Sequence, residues 1–173
     1  MNRKVLFAGL SLVIPLVFVL RDGLGKDPHA IRSPLIGRVA PGFDLRPVDS
    51  SSTLTLDSLR GKPVVLNFWA TWCVPCLAEH GVLVSGAREF GPDVHFLGVV
   101  YEDEESNITR FLAEHGSAYP SLIDESAKTA IAYGVHGVPE TFFLDRTGRV
   151  IYRHVGPLTE ESLRENLRKV MGS

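Results

Sequence analysis

Past an uninterrupted hydrophobic beginning, the chain alternates short apolar runs with amphipathic stretches. Pro63–Trp69, PVVLNFW, and Val94–Val100, VHFLGVV, are rich in β-branched and aromatic residues with almost no polar alternation. That is the pattern of strands buried on both faces. Each is followed by a stretch with helical spacing. From Cys73 to about Phe90, apolar Leu77, Val82, Leu83 and Val84 oppose polar Glu79, Arg88 and Glu89; from Glu104 to His115, Ile108, Phe111 and Leu112 fall on one side. Pro41–Leu45 is predicted as an entry strand, with a short helix around Leu56–Leu59 and another over Ala127–Tyr133, ended near Gly134. Thr141–Asp145 and Val150–Val155 flank the turn Arg146-Thr147-Gly148 as a hairpin. Thr159 is placed to cap a closing helix that turns Leu163, Leu167 and Val170 inward. A βαβ unit followed by a hairpin and a terminal helix predicts an α/β fold, with a central mixed sheet flanked by helices.

The hydrophobic beginning is of a different kind. Arg3 and Lys4 precede the run Val5–Leu20, which Arg21 and Asp22 close. The run is a little shorter than the roughly 20 residues that cross a bilayer, so length alone fits a signal peptide or an anchor. No A-x-A follows it, and Gly23-Leu24-Gly25 is a weak substitute. We therefore expect residues 1–21 to be a retained signal-anchor helix, residues 22–36 a linker marked by Gly23, Gly25, Pro28 and Pro34, and residues 37–173 the folded domain. Positive charge ahead of the run predicts a cytoplasmic N-terminus, with the domain on the far side of the membrane.

Composition narrows the function classes. At 173 residues, with 45% hydrophobic and 22% charged, the chain has the make-up of one globular domain plus a targeting segment. A net charge of −2 and a pI near 6.3 give no electrostatic footprint for nucleic acid. The chain has only two cysteines, Cys73 and Cys76, spaced as C-x-x-C. They cannot form a long-range disulfide framework, and no second C-x-x-C or H-x3-5-H completes a zinc site. Leu77 stands where covalent haem attachment would require His. No cofactor is expected beyond a redox-active Cys73–Cys76 disulfide.

Thiol–disulfide exchange needs a thiolate, an accessible sulfur and a second thiol to resolve the mixed disulfide. A C-x-x-C between a buried strand and a helix meets these needs. The free N–H groups and positive dipole end of the helix favour a thiolate at Cys73, making it the nucleophile. Cys76, one turn further in, is the resolving thiol.

The surrounding residues carry a resemblance. Trp69-Ala70-Thr71-Trp72-Cys73-Val74-Pro75-Cys76 resembles the active-site segment of the thioredoxin superfamily. With Leu66–Trp69, Glu79-His80, the stretch Tyr133–Phe142 containing Gly137-Val138-Pro139-Glu140-Thr141-Phe142, Asp145–Gly148 and Gly156–Thr159, the chain resembles the CcmG/DsbE-type (TlpA/ResA-like) membrane-anchored reductases of cytochrome c maturation. The resemblance spans nearly the whole chain. It implies a thioredoxin-like fold, a cis-proline at Pro139, and a dithiol reductant facing the periplasm from the bacterial inner membrane. It implies as partners apocytochrome c or its maturation chaperone, with a DsbD- or CcdA-type membrane thiol relay as electron donor. Glu79 is expected to take the proton of the resolving thiol. Glu140, next to Pro139, is expected to lie near the sulfurs and oppose thiolate formation through its charge. Trp72, Val74, Pro75 and Val138 are expected to form the docking surface, Val138 through its backbone. His80 and His136 are assigned no chemistry. Gly81 stands where many relatives have proline, a departure that bears on the kink of the active-site helix. The same residues also suit a TlpA/ResA-like reductase for another client, such as a copper-centre assembly protein, or a dithiol module that binds without turnover.

Overall fold

The computed structural model describes residues 33–172, together with Val13, Val17 and Phe18. Most of the expected anchor and of the expected linker lies outside the described residues. Among the described residues, no helix is long and apolar enough to cross a membrane. The folded unit begins at Ser33, a few residues before the expected boundary. Ser33 is buried, Leu35 packs on the core, and Gly37 N–H bonds to Val150 O at 2.8 Å.

In chain order the elements are β1 (Asp44–Pro47), β2 (Leu54–Thr55), a 3-10 turn (Leu56–Leu59), β3 (Val64–Trp69), α1 (Val74–Phe90), β4 (His95–Val100) and α2 (Glu105–His115). They continue with β5 (Ser121–Ile123), α3 (Lys128–Tyr133), β6 (Glu140–Leu144), β7 (Val150–Val155) and α4 (Glu160–Met171). The strands form one mixed sheet in the order β2-β1-β5-β4-β3-β6-β7. β3 runs parallel to β4 and antiparallel to β6, so Asn67 faces Gly98 on one side and Thr141 on the other.

The central strands are buried throughout, and their alternate residues face two cores. Leu66, Phe68, Leu97, Val99, Phe142 and Leu144 pack with Tyr133 of α3 on one face. Val65, Phe96 and Phe143 meet Leu83 of α1 and Leu163, Leu167 and Val170 of α4 on the other. The predicted inward residues of α4 are thus buried, and a Thr159–Ser162 capping box opens that helix.

Three elements differ from the sequence reading. β1 starts later than expected and pairs with the unpredicted β5; a three-residue strand is too short to show periodicity. Helix α1 inverts part of its predicted face: Leu77 is 45% exposed and Val82 is half-buried, whereas Glu79 and His80 are buried. The reason is that polar Asn67 of β3 and the Gly116 carbonyl supply hydrogen-bonding partners beneath the helix. Finally, α1 runs unbroken through Gly81, which is exposed and has open space where a Cβ would stand.

Trp69, the last residue of β3, comes so close to β4 that a Cβ on Gly98 would stand 2.6 Å from its Nε1. Glycine at 98 therefore permits the close approach of indole and strand.

Candidate active site

The end of β3 turns directly into α1, and the turn places Cys73 as the N-cap residue. Its Sγ accepts the Cys76 N–H at 3.1 Å, where a serine or aspartate oxygen ordinarily sits. Pro75 occupies the first turn, where a missing N–H costs nothing. Cys73 and Cys76 are joined as a disulfide, with the sulfurs 2.00 Å apart. When the bond is reduced, the same N–H and the positive helix end favour negative charge on the Cys73 sulfur.

Both cysteines are buried, on a floor of Trp69, Ala70, Val100, Ile108 and Phe111, with half-buried Val138 against them. The rim is apolar and open: Trp72 is 58% and Val74 78% exposed, and Pro75, Leu77 and Ala78 are also exposed. Trp72, Val74 and Pro75 are exposed next to the disulfide in the chain, and half-buried Val138 packs on the cluster that holds it. Leu77 extends this rim, a role its helical spacing concealed.

Trp72 is held by a bond from its Nε1 to Glu102 O at 3.2 Å. Next to it, Asp103 Oδ2 accepts from Thr71 N at 2.6 Å and from Thr71 Oγ1 at 2.7 Å. Burial pushes the Asp103 carboxyl up, but the bonds from Thr71, Glu104 and Asn107 outweigh it and hold the group below its ordinary value. Sequence reasoning missed Asp103. The signal was the paired parallel strands: Trp69 is in register with Val100, so the loops leaving both carboxyl ends must meet.

The Val138–Pro139 peptide bond is cis, and Pro139 is buried. Glu140 follows it, 3% exposed, but its carboxylate is engaged elsewhere than at the sulfurs. Oε2 accepts from Arg153 at 2.8 Å (Nε) and 2.7 Å (Nη2), and Oε1 accepts from His136 N at 3.3 Å. The charge expected to oppose a thiolate is therefore matched by a guanidinium. Arg153, which the sequence reading did not single out, is itself only 11% exposed and lies 5.8 Å from the centre of the Phe142 ring.

Glu79 is 1% exposed beneath α1. Oε1 accepts from Asn67 Nδ2 at 2.8 Å and Oε2 from Leu158 N at 2.6 Å, while Asn67 Nδ2 also reaches Thr141 Oγ1 at 3.0 Å. Its partners are neutral. Burial raises its carboxyl to about 7, against the opposing pull of the Leu158 and Asn67 bonds. His80 lies beside it on the helix, bonded through Nε2 to Gly116 O at 2.9 Å, edge-on to the Phe111 ring and tilted against Trp69; burial lowers its pKa. His136 is exposed, and its backbone rather than its ring takes part. Among the described residues, no group of three His, Cys, Asp or Glu side chains is arranged to hold a metal ion.

The site thus joins a disulfide at a helix N-terminus, a cis-proline whose preceding residue packs on the same cluster, and a buried carboxylate one turn further along the helix. Residues 36–171 match the Redoxin family model. The chain belongs to the Redoxin family. It is 36% identical over 168 residues to the thiol:disulfide interchange protein DsbE of Pseudomonas fluorescens biotype C, covering 96% of this chain and 93% of that one. It is 40% identical over 144 residues to the thiol:disulfide interchange protein HelX of Rhodobacter capsulatus, covering 82% and 80%. The fold matches the crystal structure of a thiol:disulfide interchange protein of the thioredoxin family from Chlorobium tepidum TLS, with a TM-score of 0.71 and 26% identity over 78% of this chain and 96% of that one. This Redoxin-family chain is thus a disulfide oxidoreductase of thioredoxin-like fold and DsbE type.

Proposed function

We propose that the protein is an extracytoplasmic dithiol reductant, tethered by residues 1–21 to the bacterial inner membrane, that reduces apocytochrome c cysteines or a maturation chaperone before haem attachment. The observation that carries the chemistry is the seat of Cys73 at the start of α1, with its sulfur accepting an N–H inside an exposed apolar rim. Similarity to DsbE-type proteins over 96% of the chain, together with the Gly137–Phe142 stretch, supports the client class.

In the reduced protein, the Cys73 thiolate attacks one sulfur of the client disulfide and expels the other as a thiolate, leaving a mixed disulfide. Cys76 gives up its proton, for which Glu79, with its pKa near neutrality, is the nearby acceptor class. The Cys76 sulfur then attacks Cys73, releasing the second client thiolate. The client gains two electrons and the Cys73–Cys76 pair loses two. A membrane thiol relay of the DsbD or CcdA kind restores the dithiol. Trp72, Val74, Pro75 and Val138 receive the client beside the sulfurs.

A Cys76→Ser variant in native membranes arrests the cycle at the mixed disulfide. The expected captive is an exported protein with a C-x-x-C-H motif or its chaperone. Capture of copper-centre assembly proteins alone would overturn the cytochrome assignment while leaving the chemistry intact.

A further inference from the structure

On the side of the sheet that α2 covers, a cavity of about 290 Å³ opens between that helix, the residues that follow β1 and the segment that leads into β5. Thr109, Leu112 and Ala113 of α2 form one wall, with Val48 and Ser121 across from them. Of the aliphatic hydroxyls that line it, two are engaged within the chain: Thr109 Oγ1 donates to Glu105 O and Ser117 Oγ to Tyr119 O, both at 2.9 Å. Ser121 is different. It is 4% exposed, and its hydroxyl has no hydrogen-bonding partner among the described residues. Buried hydroxyls are ordinarily paired, so an unpaired one in the wall of a cavity marks a place for a ligand atom.

The neighbouring strand says what kind of atom. Ser121 is in register with Gly98, so its side chain stands on the face where a Gly98 side chain would be. A Cβ on Gly98 would stand 3.3 Å from Ser121 Oγ and 2.6 Å from Trp69 Nε1. The Trp69 ring lies 5.1 Å from that of Phe111 in α2, which places this face on the helix side, with the cavity. Trp69 Nε1 is a second buried group without a partner among the described residues, and an indole nitrogen can only donate. Beside such a donor, the Ser121 oxygen turns a lone pair toward the indole and keeps its own proton for the cavity.

From this we infer that the cavity is a binding site, separate from the client rim, for a small uncharged molecule with a ring-sized apolar body and one carbonyl-type acceptor oxygen. Val48, Leu112 and Ala113 receive the body, and the Ser121 hydroxyl donates to the oxygen. The exposed carboxylate of Asp49, which also lines the cavity, turns anions away. Val48 and Leu112 pack as well on the cluster that contains Cys73 and Cys76, so the site lies behind the disulfide rather than on its open side. The inference stands apart from the client proposed above.

NMR titration of the oxidised full-length protein in detergent micelles reads this directly, with benzamide as the probe and benzoate as its anionic counterpart. Benzamide is expected to produce saturable shifts at the backbone amides of Leu112, Ala113 and Ser121. Ser121→Ala should raise its half-saturating concentration roughly tenfold, through loss of the one hydrogen bond to the carbonyl. Ala113→Phe, at an exposed helix position, fills the cavity and should abolish the shifts; it serves if the Ser121 variant folds poorly. Benzoate should bind roughly tenfold more weakly than benzamide or not at all, with Asp49 opposing it. The absence of saturable shifts at these residues would overturn the inference, as would the same half-saturation in the wild type and both variants. Equal saturation by benzamide and benzoate would mark an adventitious additive only, and would overturn it too.

Discussion

Glu79 and Glu140 are both buried acids that close on the supports of one disulfide, yet they sit on opposite faces of the central sheet and have opposite company. Below α1, Glu79 meets only neutral donors, Asn67 and Leu158 N–H. Behind the cis-proline, Glu140 meets the guanidinium of Arg153. Burial alone drives the first carboxyl toward neutrality, where it can take up and release a proton. A matched ion pair holds the second in place as part of the framework. The difference lies in the partner: beside neutral donors a buried acid is left with a raised pKa, whereas beside a guanidinium it is engaged in an ion pair.

The sharpest way to break this comparison is to remove the cation. Arg153→Met leaves Glu140 buried and unmatched, and should lower unfolding stability by about 3–5 kcal/mol in urea denaturation. A loss under ~1 kcal/mol would mean that the pair is effectively a surface pair.

Next is the pH dependence of Glu79. Its folded value of about 7 lies above its ordinary 4.5, so the folded state holds the proton more tightly. Its contribution is fully present below about 4.5 and lost as pH rises through about 7, a swing on the order of 3 kcal/mol at 1.36 kcal/mol per pH unit. Glu79→Gln should flatten the stability profile in that window and slow release of the mixed disulfide most near neutral pH. An unchanged slope between the two values would remove Glu79 as the titrating group.

Asn67→Ala tests whether Glu79 depends on its neutral donor. It removes the bonds to Glu79 and Thr141 and should cost about 1–3 kcal/mol, with the Glu79 titration moving further upward as one bond that opposes burial is lost. Infrared or NMR titration of the carboxyl reads the direction, and a downward move would contradict it.

The smallest effect is a control on the outer side of α1. Gly81→Ala places a methyl in open space within a helix and should raise stability by about 0.5–1 kcal/mol, leaving both carboxylates alone. A loss of stability there would mean that the helix needs the glycine.

How much of this was legible in the sequence follows from the range of each signal. The strands β3 and β4 and the helix α4 were plain because burial on two faces, or on one stripe, writes itself into consecutive residues. The Cys73–Cys76 pair was plain because its chemistry is local. Strand β5 was not, at three residues, and its pairing with β1 shifted that strand from its expected start. The inward face of α1 was misread at Leu77 because hydrophobic spacing assumes an apolar floor, and Asn67 makes the floor polar. The ion pair of Glu140 was not legible, because Arg153 lies 13 residues away and joins it only through the β6–β7 register. Asp103 likewise becomes visible only when two parallel strands end side by side.

Gly98 gives the disulfide a foundation of three courses. At Gly98, where β4 has no side chain, the Trp69 indole comes close to the strand's backbone, and that indole shares one buried cluster with Cys73 and Cys76. The altitude of the redox centre above the sheet is thus set by a methyl group that is missing from the neighbouring strand. Gly98→Ala would act like a shim under a bearing, pushing against Trp69 from the strand beneath it.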